Sequence, residues 1–302
     1  MIRKLAVFLV LLAVAGGLAF WFITAPKTLS ADEIAALPQG DAAAGERIFY
    51  AAGCAACHAA PGAKGDEKLV LAGGERFVTQ FGTFVAPNIS PDPRAGIGSW
   101  TLGQFANAVL RGVSPAGEHL YPAFPYSTYE RMTGKDLSDL FAFLKTLPPV
   151  TEKAPPHEVS FPFNIRRLLG GWKWLFLREG FIVDLPADAT DQLRRGRYLV
   201  EALGHCGECH TPRNVLGGPE YASWLKGGPS PDGKGKIPDI TPSGIGSWSA
   251  KDIAYYLESG FTPEFDSVGG AMVAVQENMA KLPAEDRDAI AAYLKALPAS
   301  GG

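Results

Sequence analysis

All four cysteines of this chain fall in two pentads, CAACH at residues 54 to 58 and CGECH at 206 to 210. Two thiols three positions apart on a short helical turn can each bond one vinyl group of the same porphyrin, and the imidazole that follows then points at the iron. The pattern assigns Cys54 and Cys57 to a covalent haem c with His58 as proximal ligand, and Cys206 and Cys209 to a second with His210. A redox dithiol needs no following histidine and sits near a βαβ pattern that is missing here, while a zinc site would need the four thiolates to converge. With every cysteine so used, none is left for a disulfide.

An iron held by histidine on one side needs a sixth ligand or an open position, and that choice separates an electron carrier from an enzyme. Of the four methionines, Met132 immediately precedes a helical pattern and is the choice for the first iron, with His119 as its rival. For the second iron Met272, in the SVGGAM loop, is preferred to Met279, which lies nearer the last helix. His/Met ligation raises the reduction potential and leaves no site for substrate. A carbonyl or side chain is expected to accept from the other ring nitrogen of His58 and of His210, and by loop position Pro87 or its neighbours and Pro238 or its neighbours are the candidates. Trp100 and Trp248 are read either as indole donors to propionates or as core.

The elements that must position these groups come as a two-fold repeat with an offset near 150 residues. PNISP at 87 to 91 answers PDITP at 238 to 242, GIGSW at 96 to 100 recurs at 244 to 248, and FLKTLP at 143 to 148 recurs as YLKALP at 293 to 298. A repeat of this length is a duplicated domain rather than a solenoid. Within each copy the apolar spacing is helical: Leu102, Phe105, Ala106, Val109 and Leu110 in the first, and Ile290, Tyr293, Leu294 and Leu297 at the end of the second. A short helix is expected before each pentad, around residues 46–52 and 197–203. No strand alternation stands out, so the expected fold class is all-α, with Gly- and Pro-rich loops packed on the cofactors.

Residues 1–40 read as membrane anchor and tether, 41–149 and 191–302 as the two copies, and 150–190 as a packed connector. Arg3 and Lys4 precede an uncharged stretch from Leu5 to Ala25, long enough to span a bilayer, and the two basic residues favour an N-terminus in the cytoplasm. A cleaved signal peptide is the competing reading, since Ala13, Val14 and Ala15 form an A-x-A triplet. The connector contains FPFNIRRLLGGWKWLFL, too aromatic for a free linker; it is expected in the groove between the copies, or as a docking or membrane face. A formal net charge of -3 and the lack of a Lys/Arg run argue against nucleic acid as partner.

GCAACH, the PNISP and GIGSW loops, LYPAFPYSTYERMTGKDLSDLFAFLKTLPPV, the connector ending WKWLFL and RGRYLVEALGHCGECHTPRNVLGG together resemble the class I cytochrome c family. The likeness is to the di-haem or multi-haem membrane-anchored subunits that accept electrons from periplasmic alcohol, gluconate or aldehyde dehydrogenases. The resemblance implies two tandem class I cytochrome c domains, preceded by one transmembrane helix, on the periplasmic face of a bacterial inner membrane. They would relay single electrons from a dehydrogenase or respiratory complex to a downstream cytochrome or oxidase. Several such subunits carry three haem motifs where this chain has two, which favours a relay over direct ubiquinone chemistry. Relatives with PAMPY offer that methionine as a ligand; Phe124 stands there in this chain, which shifts the choice to Met132. The alternative is a di-haem redox enzyme of peroxidase or thiosulfate dehydrogenase type, for which His119, His157 or His205 would be the acid or base.

Overall fold

In the computed structural model, which describes residues 1–230, 233 and 235–298, helices carry most of the regular structure. The first, α1 (Ile2–Ile23), has no buried side chain and is long and apolar enough to cross a membrane. At 1.5 Å per residue it rises roughly 33 Å. A short helix, α2 (Ala31–Ala35), follows, closed by a capping box between Ser30 and Glu33.

Residues 24–40 are strapped to the body. Thr24 is 1% exposed, and the Leu29 N–H donates to Asn107 Oδ1 at 2.7 Å. Ile34 and Leu37 lie over Gly103 and Gly134, where a β-carbon would crowd them. Three apolar side chains in so short a segment bury more favourably than they hydrate, and that keeps it down.

The first half then runs α3 (Ala42–Ala51), α4 (Cys54–His58), a hairpin of β1 (Arg76–Thr79) and β2 (Gly82–Val85), α5 (Leu102–Arg111), α6 (Tyr126–Tyr129) and α7 (Gly134–Leu144). The connector holds α8 (Leu168–Phe176). The second half has α9 (Asp191–Tyr198), continued by a π turn at Leu199–Leu203, then α10 (Gly207–His210) and a hairpin of β3 (Gly228–Pro229) and β4 (Lys236–Ile237). It closes with α11 (Pro242–Ile245), α12 (Ala250–Ser259), α13 (Met272–Met279) and α14 (Ala284–Ala296).

The two antiparallel hairpins correct the expectation of a fold without strands. The first is built by β-branched Val78, Thr79, Thr83 and Val85 around Gly82, whose φ of 127° few other residues tolerate. Helix crossings repeat between the halves. α3 crosses α7 with Gly45 on the Asp139 carbonyl, and α9 crosses α14 with Gly196 on the Ala289 carbonyl, so close that a β-carbon at either glycine would collide. One apolar core runs through both halves, from Phe49, Leu137 and Leu144 to Leu203, Leu225 and Tyr293.

Candidate haem-binding sites

Both pentads form a single helical turn entered through a residue with positive φ. Gly53 (φ 61°) precedes Cys54, and His205 (φ 42°) precedes Cys206. Glycine adopts this conformation freely; His205 does so under strain. Each pentad is then held by the same pair of bonds. His58 Nδ1 lies 2.9 Å from the Pro87 carbonyl oxygen and His210 Nδ1 lies 2.8 Å from that of Pro238. The backbone carbonyl of His58 accepts from the Gly73 N–H at 2.7 Å, and that of His210 from the Gly227 N–H at 2.6 Å. Gly73 and Gly227 have φ of 72° and 70°, and a β-carbon on Gly73 would sit 2.5 Å from the Ala86 carbonyl oxygen.

A proton fixed on Nδ1 by a carbonyl leaves Nε2 with its lone pair, the arrangement a metal-bound imidazole requires. Burial holds both rings below the usual imidazole range, hence neutral at pH 7, with the carbonyl bond opposing in part. The four thiols are unpaired. Burial, with a smaller contribution from Cys57, pushes the Cys54 thiol up to about 12; burial and then Cys209 push Cys57 up to about 11; burial pushes Cys206 up to about 12. Free thiols flanking a neutral imidazole with an available Nε2 fit a porphyrin bonded through two thioethers and one nitrogen.

The recurring motifs away from the pentads meet each other. Lys145 of FLKTLP donates to the carbonyls of Ile97 at 3.0 Å and Gly98 at 2.6 Å in the first GIGSW loop. Lys295 of YLKALP donates to Gly246 at 3.0 Å and Trp248 at 2.9 Å in the second. In the PNISP loop, Asn88 Nδ2 donates to the carbonyls of Val150 and Glu152, each at 2.8 Å. The lysines were legible only as part of a repeat, since nothing in their spacing says which loop they hold.

Met132 is buried in the core directly before Thr133, the N-cap of α7. Met272 is half-buried and opens α13, which packs on α12, α3 and α4; Met279, at the other end, is buried in the core. The rival histidines are engaged by backbone. His119 Nε2 lies 2.9 Å from the Thr24 carbonyl oxygen, His157 Nδ1 accepts from the Val85 N–H at 3.0 Å, and His205 Nε2 lies 3.3 Å from the Ala52 carbonyl oxygen.

His205 therefore reaches from the edge of the second pentad to the edge of the first. Glu208, the middle residue of CGECH, is held in the same junction. It accepts from Ser127 Oγ at 2.8 Å and Thr128 Oγ1 at 2.6 Å, both on α6, and pairs with Arg213. Sequence reasoning missed this role, because one carboxylate inside a pentad carries no signal of its own.

The cytochrome c family model matches residues 42–148. A diheme c-type cytochrome of Cereibacter sphaeroides is 54% identical over 297 residues, covering 98% of this chain and 99% of that protein. The fructose dehydrogenase cytochrome subunit of Gluconobacter japonicus is 40% identical over 84% of this chain, and the gluconate 2-dehydrogenase cytochrome c subunit of Pantoea cypripedii is 34% identical over 84%. The chain spans 52% and 59% of the lengths of those two subunits. Two pentads clamped in one manner, and a diheme relative that matches this chain along nearly its whole length, agree: the chain belongs to the cytochrome c family, whose members bind haem c covalently and transfer electrons.

Proposed function

We propose that the chain is a di-haem c-type cytochrome with two tandem class I domains, at 41–149 and 191–302, joined by a packed connector at 150–190. Two covalently bound haem c groups sit on Cys54, Cys57 and His58 and on Cys206, Cys209 and His210, with Met132 and Met272 as sixth ligands. Helix α1 anchors the body to the periplasmic face of a bacterial inner membrane. The chain relays single electrons from a dehydrogenase or respiratory complex to a downstream cytochrome or oxidase; that two of its relatives are named as cytochrome subunits of dehydrogenases supports a dehydrogenase as donor.

The observation that carries this reading is the duplicated clamp, in which His58 on Pro87 and His210 on Pro238 present two equivalent ring nitrogens. When bound, each haem supplies the one-electron redox chemistry. The chain fixes the imidazole tautomer, shields the site with apolar side chains, and brings the two pentads together through His205 and Glu208. The engagement of His119, His157 and His205 by backbone supports a carrier over an acid–base enzyme.

Spectroscopy on the purified chain tests it. The expected result is two haems c per chain, both low-spin, with the long-wavelength methionine-to-iron band in the oxidised state. Met132→Ala and Met272→Ala should each lower the potential of one haem and remove its share of that band. A high-spin haem that binds cyanide at once would overturn the carrier reading.

A further inference from the structure

The connector helix α8 is turned inside out. Between residues 161 and 178 lie four basic residues and no acidic one, and three of them, Arg166, Arg167 and Lys173, are turned toward the protein while Arg178 is exposed. Arg166 stacks on Tyr121 with its guanidinium 4.5 Å from the ring and donates to the His119 carbonyl at 2.9 Å. Lys173 donates to the carbonyls of Arg111 at 2.6 Å and Gly112 at 2.8 Å. The large apolar side chains face outward instead: Phe161 is 78% exposed, Trp174 69% and Leu175 57%. The patch extends beyond the helix, because Trp172 Nε1 donates to the Leu216 carbonyl at 3.0 Å and carries the exposed Val215–Leu216 tip beside it.

This face adjoins the end of α1. Arg167 lies 4.1 Å over the Trp21 ring and donates to Thr24 Oγ1 at 2.9 Å, while Gly170 approaches the Thr24 carbonyl so closely that a β-carbon would collide. Arg167, the N-cap of α8, lies in line with the stripe of positions 170 and 174. The stripe that meets the end of α1 thus runs on, one turn later, to an uncovered Trp174.

We propose that this face is a lipid-contacting belt, lying in the headgroup and upper acyl region of the bilayer that α1 spans. The inference rests on the reading of α1 as a membrane helix. A helix whose end is fixed against the connector fixes the depth of the connector as well, and an aromatic-rich apolar face with its cations tucked behind it suits the interface more than water.

The test uses the full haem-loaded chain in nanodiscs of phosphatidylethanolamine and phosphatidylglycerol, with single cysteines introduced by Phe161→Cys, Trp174→Cys and Leu216→Cys. Val10→Cys reports on α1, and Tyr255→Cys, on the exposed face of α12, reports on water. Labelling by a bulky water-soluble maleimide is followed by mass spectrometry on variants whose haem spectra are unchanged. Positions 161, 174 and 216 should react about tenfold more slowly than 255, the factor expected for burial of one large apolar side chain, and position 10 should not react. If 161, 174 and 216 match 255 while 10 stays silent, the belt is wrong and the anchor stands. If 10 reacts as fast as 255, the anchor reading fails and the belt with it. Protection that arises only when a dehydrogenase subunit is added would overturn the lipid assignment in favour of a protein-docking face.

Discussion

Arg47 Nη2 lies 2.7 Å from Asp286 Oδ2, joining the helix before the first pentad to the last helix of the chain. The duplication gives this contact a counterpart. Tyr198 stands in α9 where Arg47 stands in α3, and its hydroxyl donates to Asp136 at 2.5 Å, the residue of α7 that corresponds to Asp286 of α14. Each half therefore grips the first turn of the other half's closing helix, where the helix dipole favours a carboxylate. Arg195 adds a second guanidinium to Asp286 at 2.8 Å.

Burial acts to raise the Asp286 carboxyl, but the bonds from Arg195 and Arg47 outweigh it and hold the group below its ordinary 3.8. A carboxyl depressed by folding contributes its stability above the ordinary value and loses it as pH falls through the depressed one. Asp286→Asn should cost about 2 kcal/mol at pH 7, below the roughly 3–5 kcal/mol of a fully buried pair because both arginines keep some solvent. It should also flatten the loss of stability below pH 3.8. Urea titrations between pH 2 and 7 measure both; an unchanged acid limb would show that the charge is idle.

His205 sits in the left-handed region and carries the contact to Ala52. His205→Ala loses the contact and keeps the strained β-carbon, whereas His205→Gly loses the contact and the strain together. The glycine variant should be the more stable of the two by about 1 kcal/mol. Equal urea midpoints would mean that the strain is absorbed elsewhere.

Lys145 holds three carbonyls of the first GIGSW loop, of Ile97, Gly98 and Trp100. Lys145→Met keeps the stem and removes the donors, so it should cost about 2 kcal/mol, in the range of bonds to a charged group. Limited proteolysis should then cut within residues 91–100 ahead of other sites. Cleavage unchanged in position would assign the loop's order to the haem alone.

Gly73→Ala adds a β-carbon at φ 72° and 2.5 Å from the Ala86 carbonyl oxygen. The left-handed conformation alone costs an alanine about 1–2 kcal/mol, and the collision must push the Pro87 loop away from His58. In a redox titration one haem should shift its potential and the other keep it. Gly227→Ala should do the converse; a joint shift would show that the two loops are not independent.

The pentads, their histidines and the loops at Pro87 and Pro238 could be read ahead of the structure, because each follows from covalent chemistry or from a loop's place in the repeat; that the acceptors are the two proline carbonyls could not. The first hairpin escaped notice because Phe77 to Val85 is short and interrupted by Gln80 and Gly82, and the second because its strands are two residues each. Arg47 and Tyr198 were not legible as counterparts, since the duplication preserves their place and purpose and not their chemistry. The methionines show the limit of the repeat. The offset of 150 that relates the closing helices sets Leu282 opposite Met132 and Tyr129 opposite Met279, so at that offset the two halves share no methionine position.

The grip on Thr24 by His119, Arg167 and Gly170 removes all slack between α1 and the body. A cytochrome on a long leash can swing between donor and acceptor; one seated this tightly cannot. With α1 in a membrane, both pentads would ride at constant height above it, sweeping only sideways and turning only about the membrane normal. Reach would then belong to the partners: a donor or acceptor exchanges electrons with this chain only if its own redox centre presents itself at that height.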